Sequence, residues 1–92
     1  MKKLLHLHVK TVYFDQIKSG EKPHEYRLQT NYWIKRLVNK RYDGIVVWNA
    51  YKTGPENQIE MPWKGCHSVK ITHEHFGPDE VMVFAIRMTV PQ

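Results

Sequence analysis

The segment of the chain with the most functional side chains is residues 20–27, which reads Gly-Glu-Lys-Pro-His-Glu-Tyr-Arg. Lys22, Glu25 and Arg27 bring an amine, a carboxylate and a guanidinium into this short stretch. A guanidinium can bind phosphate through two parallel hydrogen bonds, and an amine or a carboxylate can act as nucleophile or general base. The alternative is a structural ion pair that only joins two elements. A functional site requires the three side chains to converge on an open cleft rather than in a closed, mutually paired cluster.

Aromatic residues lie beside basic residues at several points in the sequence. Tyr26 precedes Arg27, and Trp63 lies in a predicted loop next to a lysine. Single-stranded nucleic acid binds such surfaces because its bases stack on rings while its phosphates pair with cations. A small core also needs large side chains, and Trp48, inside an apolar run, is predicted to be one of them.

The charge of the chain favours a polyanionic partner. Fourteen Lys and Arg outweigh nine Asp and Glu, which gives a net charge of +5 and a pI near 9.4. Such a surplus attracts phosphate groups. Lys35, Arg36 and Arg41 form a basic cluster that we expect to face phosphate, although such a cluster is also typical of a solvated helix face.

The size and composition limit the class of protein. Ninety-two residues allow one domain, residues 1–92. A mean hydropathy of −0.59 and the absence of a long apolar run argue against a transmembrane helix. His6 and His8 interrupt an N-terminal segment that otherwise resembles the start of a signal peptide. A single cysteine, Cys66, cannot form an internal disulfide, which favours the reducing cytoplasm.

Two His-x-His pairs are candidate metal ligands, His6 with His8 and His73 with His75. Each pair would place both imidazoles on one face of an extended segment, a spacing that zinc sites use. No Cys-x-x-Cys or helical His-x-x-x-His accompanies them. We therefore expect no metal and no cofactor.

The elements that position these residues are predicted from hydrophobic periodicity. Alternation of Leu5, Leu7 and Val9 with polar residues predicts a half-buried first strand, and Thr11 and Gly20 are predicted to cap the two ends of the helix that follows. A turn is expected at residues 77–79. The remaining predicted elements are a strand at 23–28, a helix at 31–38, and strands at 45–48, 59–63, 66–72 and 81–90. The pattern predicts an α+β fold of five to six strands and two short helices, closed into a small barrel.

The pattern Gly-x-Lys-x-x-Glu-x-Arg at residues 20–27, after a short amphipathic helix and a first strand, resembles the ASCH domain family. The resemblance covers nearly the whole chain and implies a PUA-like β-barrel related to RNA-binding modules. It also implies that the motif forms a cleft for RNA or a nucleotide. Some members are hydrolases, either ribonucleases or amidohydrolases that deacetylate acetylated cytidine through the motif lysine, which corresponds to Lys22.

Departures from the enzymatic members shift the expectation towards binding. Glu25 stands where the amidohydrolase has its threonine, and the chain has too few residues for the additional helix that carries another acidic catalytic residue. We expect RNA or nucleotide binding. The alternatives are a hydrolase acting on RNA or an acetylated nucleoside, with Lys22 and Glu25 as catalytic residues, and a basic adaptor for a protein partner, possibly from a mobile element. The predicted RNA-binding residues are Lys22, Glu25, Tyr26, Arg27, Lys35, Arg36, Arg41 and Trp63.

Overall fold

The structure is a computed structural model that describes residues 2–89. Its helices are α1 (Thr11–Ser19) and α2 (Asn31–Leu37). Its strands are β1 (Leu4–Val9), β2 (His24–Leu28), β3 (Gly44–Asn49), β4 (Gln58–Met61), β5 (Cys66–His73) and β6 (Gly77–Arg87). Short 3-10 turns occupy Pro55–Asn57 and Glu74–Phe76. The prediction of a small α+β fold with two short helices and five to six strands is confirmed, and the described residues form six strands.

The strands form two three-stranded sheets. In the first sheet the order is β1-β3-β4, with β1 parallel to β3 and β3 antiparallel to β4. In the second sheet the order is β2-β6-β5, and both pairings are antiparallel. Strand β2 therefore lies at an edge of its sheet, and it contains the second half of the motif, residues 24–27.

Side-chain alternation in β1 follows the prediction. Leu5, Leu7 and Val9 are buried, whereas His6 and His8 are exposed. The buried side chains join a core that takes residues from both sheets and both helices. The other core members are Phe14, Ile17, Leu37, Ile45, Val47, Met61, Phe84, Ile86 and Met88.

Helix α1 ends as predicted but begins differently. Gly20 takes the left-handed conformation at φ 85°, and its N–H donates to the carbonyl of Ile17. The prediction that Thr11 caps the helix is wrong, because Lys10 is the N-cap and makes no side-chain capping bond. The Thr11 hydroxyl instead donates to Oδ1 of Asn49 at 2.7 Å. This bond ties the start of α1 to the end of β3.

Two further predictions are corrected by the strand positions. The turn expected at residues 77–79 lies at Glu74–Phe76, and β6 already begins at Gly77, whose φ of 98° suits glycine at the turn exit. Strand β6 ends at Arg87, and residue 90, the predicted end, lies outside the described residues.

Trp48 is not in the core: the inward positions of β3 belong to Ile45 and Val47, so its ring lies on the outer face, half-buried. No helix of the described residues is long and apolar enough to cross a membrane.

Candidate functional site

A cleft of about 330 Å³ opens beside β2. Its walls come from β1, α1, β2, the start of α2 and the 3-10 turn after β5. Lys22, Glu25, Tyr26 and Arg27 of the motif all line it. The volume is at the lower end of the range for small-molecule sites, which suits one nucleotide unit more than a larger ligand.

A buried carboxylate links the two motif cations at the floor of the cleft. Glu25 is only 6% exposed. Its Oε2 accepts from Nη2 of Arg27 at 2.8 Å, and its Oε1 lies 3.9 Å from Nζ of Lys22. The side chains of Lys22 and Arg27 keep 14% and 20% of their surface exposed. The three groups are thus mutually paired, as a structural ion pair requires, and they also face an open cleft, as a binding site requires.

The backbone around Lys22 holds this side chain in place. The N–H of Lys22 donates to the carbonyl of Gln16 in α1 at 3.0 Å. Nζ lies 5.0 Å from the ring centre of Tyr13 and 4.8 Å from that of Tyr26. The two cation–π contacts and the nearby carboxylate together restrict where the Lys22 amine can lie. Lys22 is therefore a fixed positive charge inside the cleft.

Arg27 makes several contacts at once. Its Nη2 donates both to Glu25 and to the carbonyl of His8, the second at 2.9 Å, while its guanidinium carbon lies 4.9 Å from the ring centre of Trp33. Its Nε is buried without a hydrogen-bond partner. An unpaired buried donor costs about 1–3 kcal/mol, and such groups call for an explanation. A side chain used only to pin two elements would be expected to satisfy this donor.

Positive charge dominates the cleft. Lys10, Lys22 and Arg27 line it together with one carboxylate, that of Glu25. Lys10 Nζ lies 3.5 Å from Nδ1 of His75, which also lines the cleft. Fixed charges of one sign in a cleft raise the local concentration of ligands of the other sign. The cleft is suited to an anion.

Aromatic rings form much of the cleft wall. Tyr13 comes from α1, Trp33 from α2 and Phe76 from the turn after β5. His8, His73 and His75 also line the cleft, although sequence reasoning did not place them there. The sequence predicts that His8 points outward from β1. It does not predict that His8 lines the same cleft as a turn more than sixty residues away.

The other predicted RNA-binding residues do not line the cleft. Lys35 and Arg41 are exposed, and Arg36 places its guanidinium carbon 3.4 Å from the ring centre of Tyr32, also in α2. Trp63 was expected at the cleft wall, and that placement is corrected. Its ring packs against the hydrophobic core and meets the ring of Tyr42 edge-on, because the loop turns inward after β4.

Protonation is perturbed at two groups near the motif strand. The pKa of His24 is lowered, first by burial and then by the charges of His67, Arg87 and Lys22. Burial raises the pKa of the Cys66 thiol, so at neutral pH this cysteine is a weak nucleophile. Within residues 2–89 no three His, Cys, Asp or Glu side chains are grouped closely enough to hold a metal ion.

Comparisons with protein-family models, with curated protein sequences and with solved structures find no match for the chain.

Proposed function

We propose that the chain is an RNA- or nucleotide-binding domain of the ASCH type. In this proposal the two sheets correspond to a small PUA-like barrel, and the protein acts in the cytoplasm. The observation that carries the proposal is the cleft over Lys22, Glu25 and Arg27, which combines a positive floor with aromatic walls. Nucleotides offer the matching pair of features, a phosphate and a ring.

The phosphate is assigned to the cations of the floor. Lys22 and Arg27 are held from behind by Glu25, so their positions do not have to be ordered when the ligand arrives. Lys10 adds a third charge at the rim. Such charge-assisted contacts contribute about 1.5–3 kcal/mol each.

The base is assigned to the aromatic walls. Tyr13 and Trp33 line the cleft from two different helices. A base that stacks on such a ring contributes about 1–3 kcal/mol. Arg27 already lies over the Trp33 ring, which would bring the phosphate and base positions close together.

Binding is favoured over hydrolysis by the surroundings of the two candidate catalytic residues. The Lys22 amine is paired with a carboxylate and lies against two rings. Glu25 is buried with a cation beside each of its oxygens, so both groups are engaged with neighbouring protein groups rather than directed at a substrate bond. We therefore assign Lys22 and Glu25 to binding and to positioning, respectively.

The test is fluorescence anisotropy with a labelled single-stranded RNA, comparing the wild type with Lys22→Ala. We expect the substitution to weaken binding about 10- to 100-fold, the loss of one charge-assisted contact. Lys18→Ala is the matched control: it removes the same charge from an exposed position of α1 outside the cleft, and its affinity should stay close to that of the wild type.

Two results would contradict the proposal. One is an equal loss of affinity in both lysine variants, which would mean that only the overall charge matters. The other is turnover: release of acetate from acetylated cytidine, or of RNA fragments, by the wild type but not by Lys22→Ala would assign a hydrolase. If RNA does not bind and Lys35→Glu abolishes capture of an acidic protein, the adaptor alternative is supported instead.

A further inference from the structure

Four ring side chains lie together on the outer face of the first sheet and form what we call the stacking platform: His6, His8, Trp48 and Tyr51. The Trp48 ring centre lies 6.3 Å from that of His6 and 6.1 Å from that of His8, with interplanar angles of 23° and 16°. Tyr51 stacks on His8 at 4.5 Å and 18°. Each of these three neighbouring pairs of rings is thus within 23° of parallel.

The sheet register and hydrogen bonds determine the ring positions. Parallel pairing of β1 with β3 sets His8 beside Trp48. The Trp48 indole Nε1 donates to Nδ1 of His6 at 3.1 Å. Nδ1 of His8 donates to the carbonyl of Ala50 at 2.8 Å. These bonds restrict both imidazoles and the indole, so the platform exists before any ligand arrives.

A strained backbone brings Tyr51 onto the platform. Ala50, the residue before it, has φ 51°, a left-handed conformation that is unfavourable for alanine. Such strain persists only where the surroundings enforce it, and it is concentrated at functional sites. The Tyr51 side chain nevertheless covers little of the core, because the residue remains 83% exposed. Its exposed ring is available to a ligand.

The platform is continuous with the cleft. His8 lines the 330 Å³ cleft and also a second groove of about 310 Å³, which reaches His6, Tyr32 and Arg36. Its backbone carbonyl accepts from Arg27 at the cleft floor. A strand that leaves the cleft past His8 would therefore meet the His6 and His8 rings, which share the second groove with Arg36, and then the rings of Trp48 and Tyr51 that lie against His8.

We propose that the stacking platform binds bases of a single-stranded RNA whose neighbouring nucleotide occupies the cleft. This inference rests on the proposed function of the cleft. Exposed rings suit flat bases, and two cations lie near His8, since Arg27 donates to its carbonyl and Arg36 lines the same groove, where they suit neighbouring phosphates. The platform thus extends a one-nucleotide site into a site for several consecutive nucleotides.

The test compares two labelled RNA ligands, a shorter one of a single nucleotide that can fill only the cleft and a longer single strand of about twelve nucleotides, a length within the usual single-strand site sizes. We expect Tyr51→Ala to weaken binding of the longer RNA about 5- to 150-fold, the value of one stacked base. Binding of the shorter RNA should change little. Tyr51→Phe keeps the ring and should bind like the wild type. Because Tyr51 is so exposed, both variants should fold, which a thermal melt checks.

The outcomes separate the two proposals. If the wild type binds the longer RNA and Lys22→Ala weakens it, but Tyr51→Ala has no effect, the platform is wrong and the cleft stands. If Tyr51→Phe loses as much affinity as Tyr51→Ala, the hydroxyl is the contact and stacking is wrong. If the wild type binds neither RNA, both proposals fail, and the platform rings are left for a protein partner.

Discussion

The cleft and the stacking platform meet at His8, yet they are built in opposite ways. At the cleft floor, charged groups satisfy one another: Glu25 is buried between Lys22 and Arg27. On the platform, rings rather than charges are arranged, and the outermost ring, that of Tyr51, is largely exposed. The first region depends on paired charge, and the second depends on backbone geometry.

This difference determines whether substitutions in each region should change stability, binding or both. Removing one member of a paired, largely buried charge cluster leaves its partners uncompensated, so the cleft should be sensitive in stability as well as in binding. Removing an exposed ring leaves no buried group without a partner, so substitutions on the platform should weaken binding without lowering stability. The largest effect is therefore expected at Glu25.

Glu25→Gln tests whether the cleft floor depends on its charge. The substitution keeps the shape but leaves Lys22 and Arg27 close together without an anion. We expect a loss of about 3 kcal/mol in the free energy of unfolding, the lower end of the range for breaking a buried pair, because both cations keep some contact with solvent. Urea denaturation followed by circular dichroism measures it.

Glu60→Gln is the matched control for this variant. It breaks the ion pair between Glu60 and Lys2. Their side chains are 59% and 76% exposed, respectively, and their charged atoms are 4.0 Å apart. Exposed pairs contribute about 0–1 kcal/mol. Equal losses in the two variants would remove the distinction between a buried charge cluster and a surface one.

Ala50→Gly tests whether the platform depends on strain. Glycine accepts φ 51° without the penalty that alanine has there, so we expect the protein to gain about 0.5–1 kcal/mol after the greater flexibility of unfolded glycine is included. The freer backbone should also hold Tyr51 less firmly on His8. Higher stability together with weaker binding of the longer RNA would show that the strain serves binding.

Asn39→Gly is the control for that substitution. Asn39 also has a positive φ, 56°, but asparagine tolerates the left-handed region better than alanine does. Its replacement should therefore stabilise the protein less and leave RNA binding unchanged. A larger gain at Asn39 than at Ala50 would argue that Ala50 is not strained.

The sequence predicted local features better than the meeting of distant ones. Alternation in β1 identified Leu5 and Leu7 as buried and His6 as exposed, because period two is a property of the strand itself. Gly20 was identified as a helix end for an equally local reason. The motif spacing placed Lys22 and Glu25 within reach of each other, and the structure brings them to the same cleft.

The platform and the cleft walls were not predictable in this way. Trp48 was expected in the core because it lies inside an apolar strand; alternation in β3 turns its ring outward, and the pairing of β1 with β3 places it beside His8. Lys10 and His75 meet across 65 positions of sequence. Trp63 packs inward although its loop is polar. Such contacts depend on how the two sheets pack together, and no window of the sequence contains that information.

The smallest expected effect is a loss of stability in acid, and it arises at His24 in β2, the strand beside the cleft. His24 has a lowered pKa, mainly from burial and then from His67, Arg87 and Lys22. The unfolded chain therefore takes up a proton at this residue more readily than the folded protein does. The contribution of neutral His24 to stability is complete above about pH 6.5, its ordinary pKa, and it is lost as the pH falls through the lowered value.

Thermal melts between about pH 7.5 and pH 5 measure this dependence. We expect the Tm of His24→Gln to fall less on acidification than that of the wild type, since the residue that resists protonation is gone. His67→Gln removes one of the charges that lower the pKa of His24, so its Tm should fall by an intermediate amount. If His24→Gln has the same pH dependence as the wild type, His24 is not the source of the acid sensitivity.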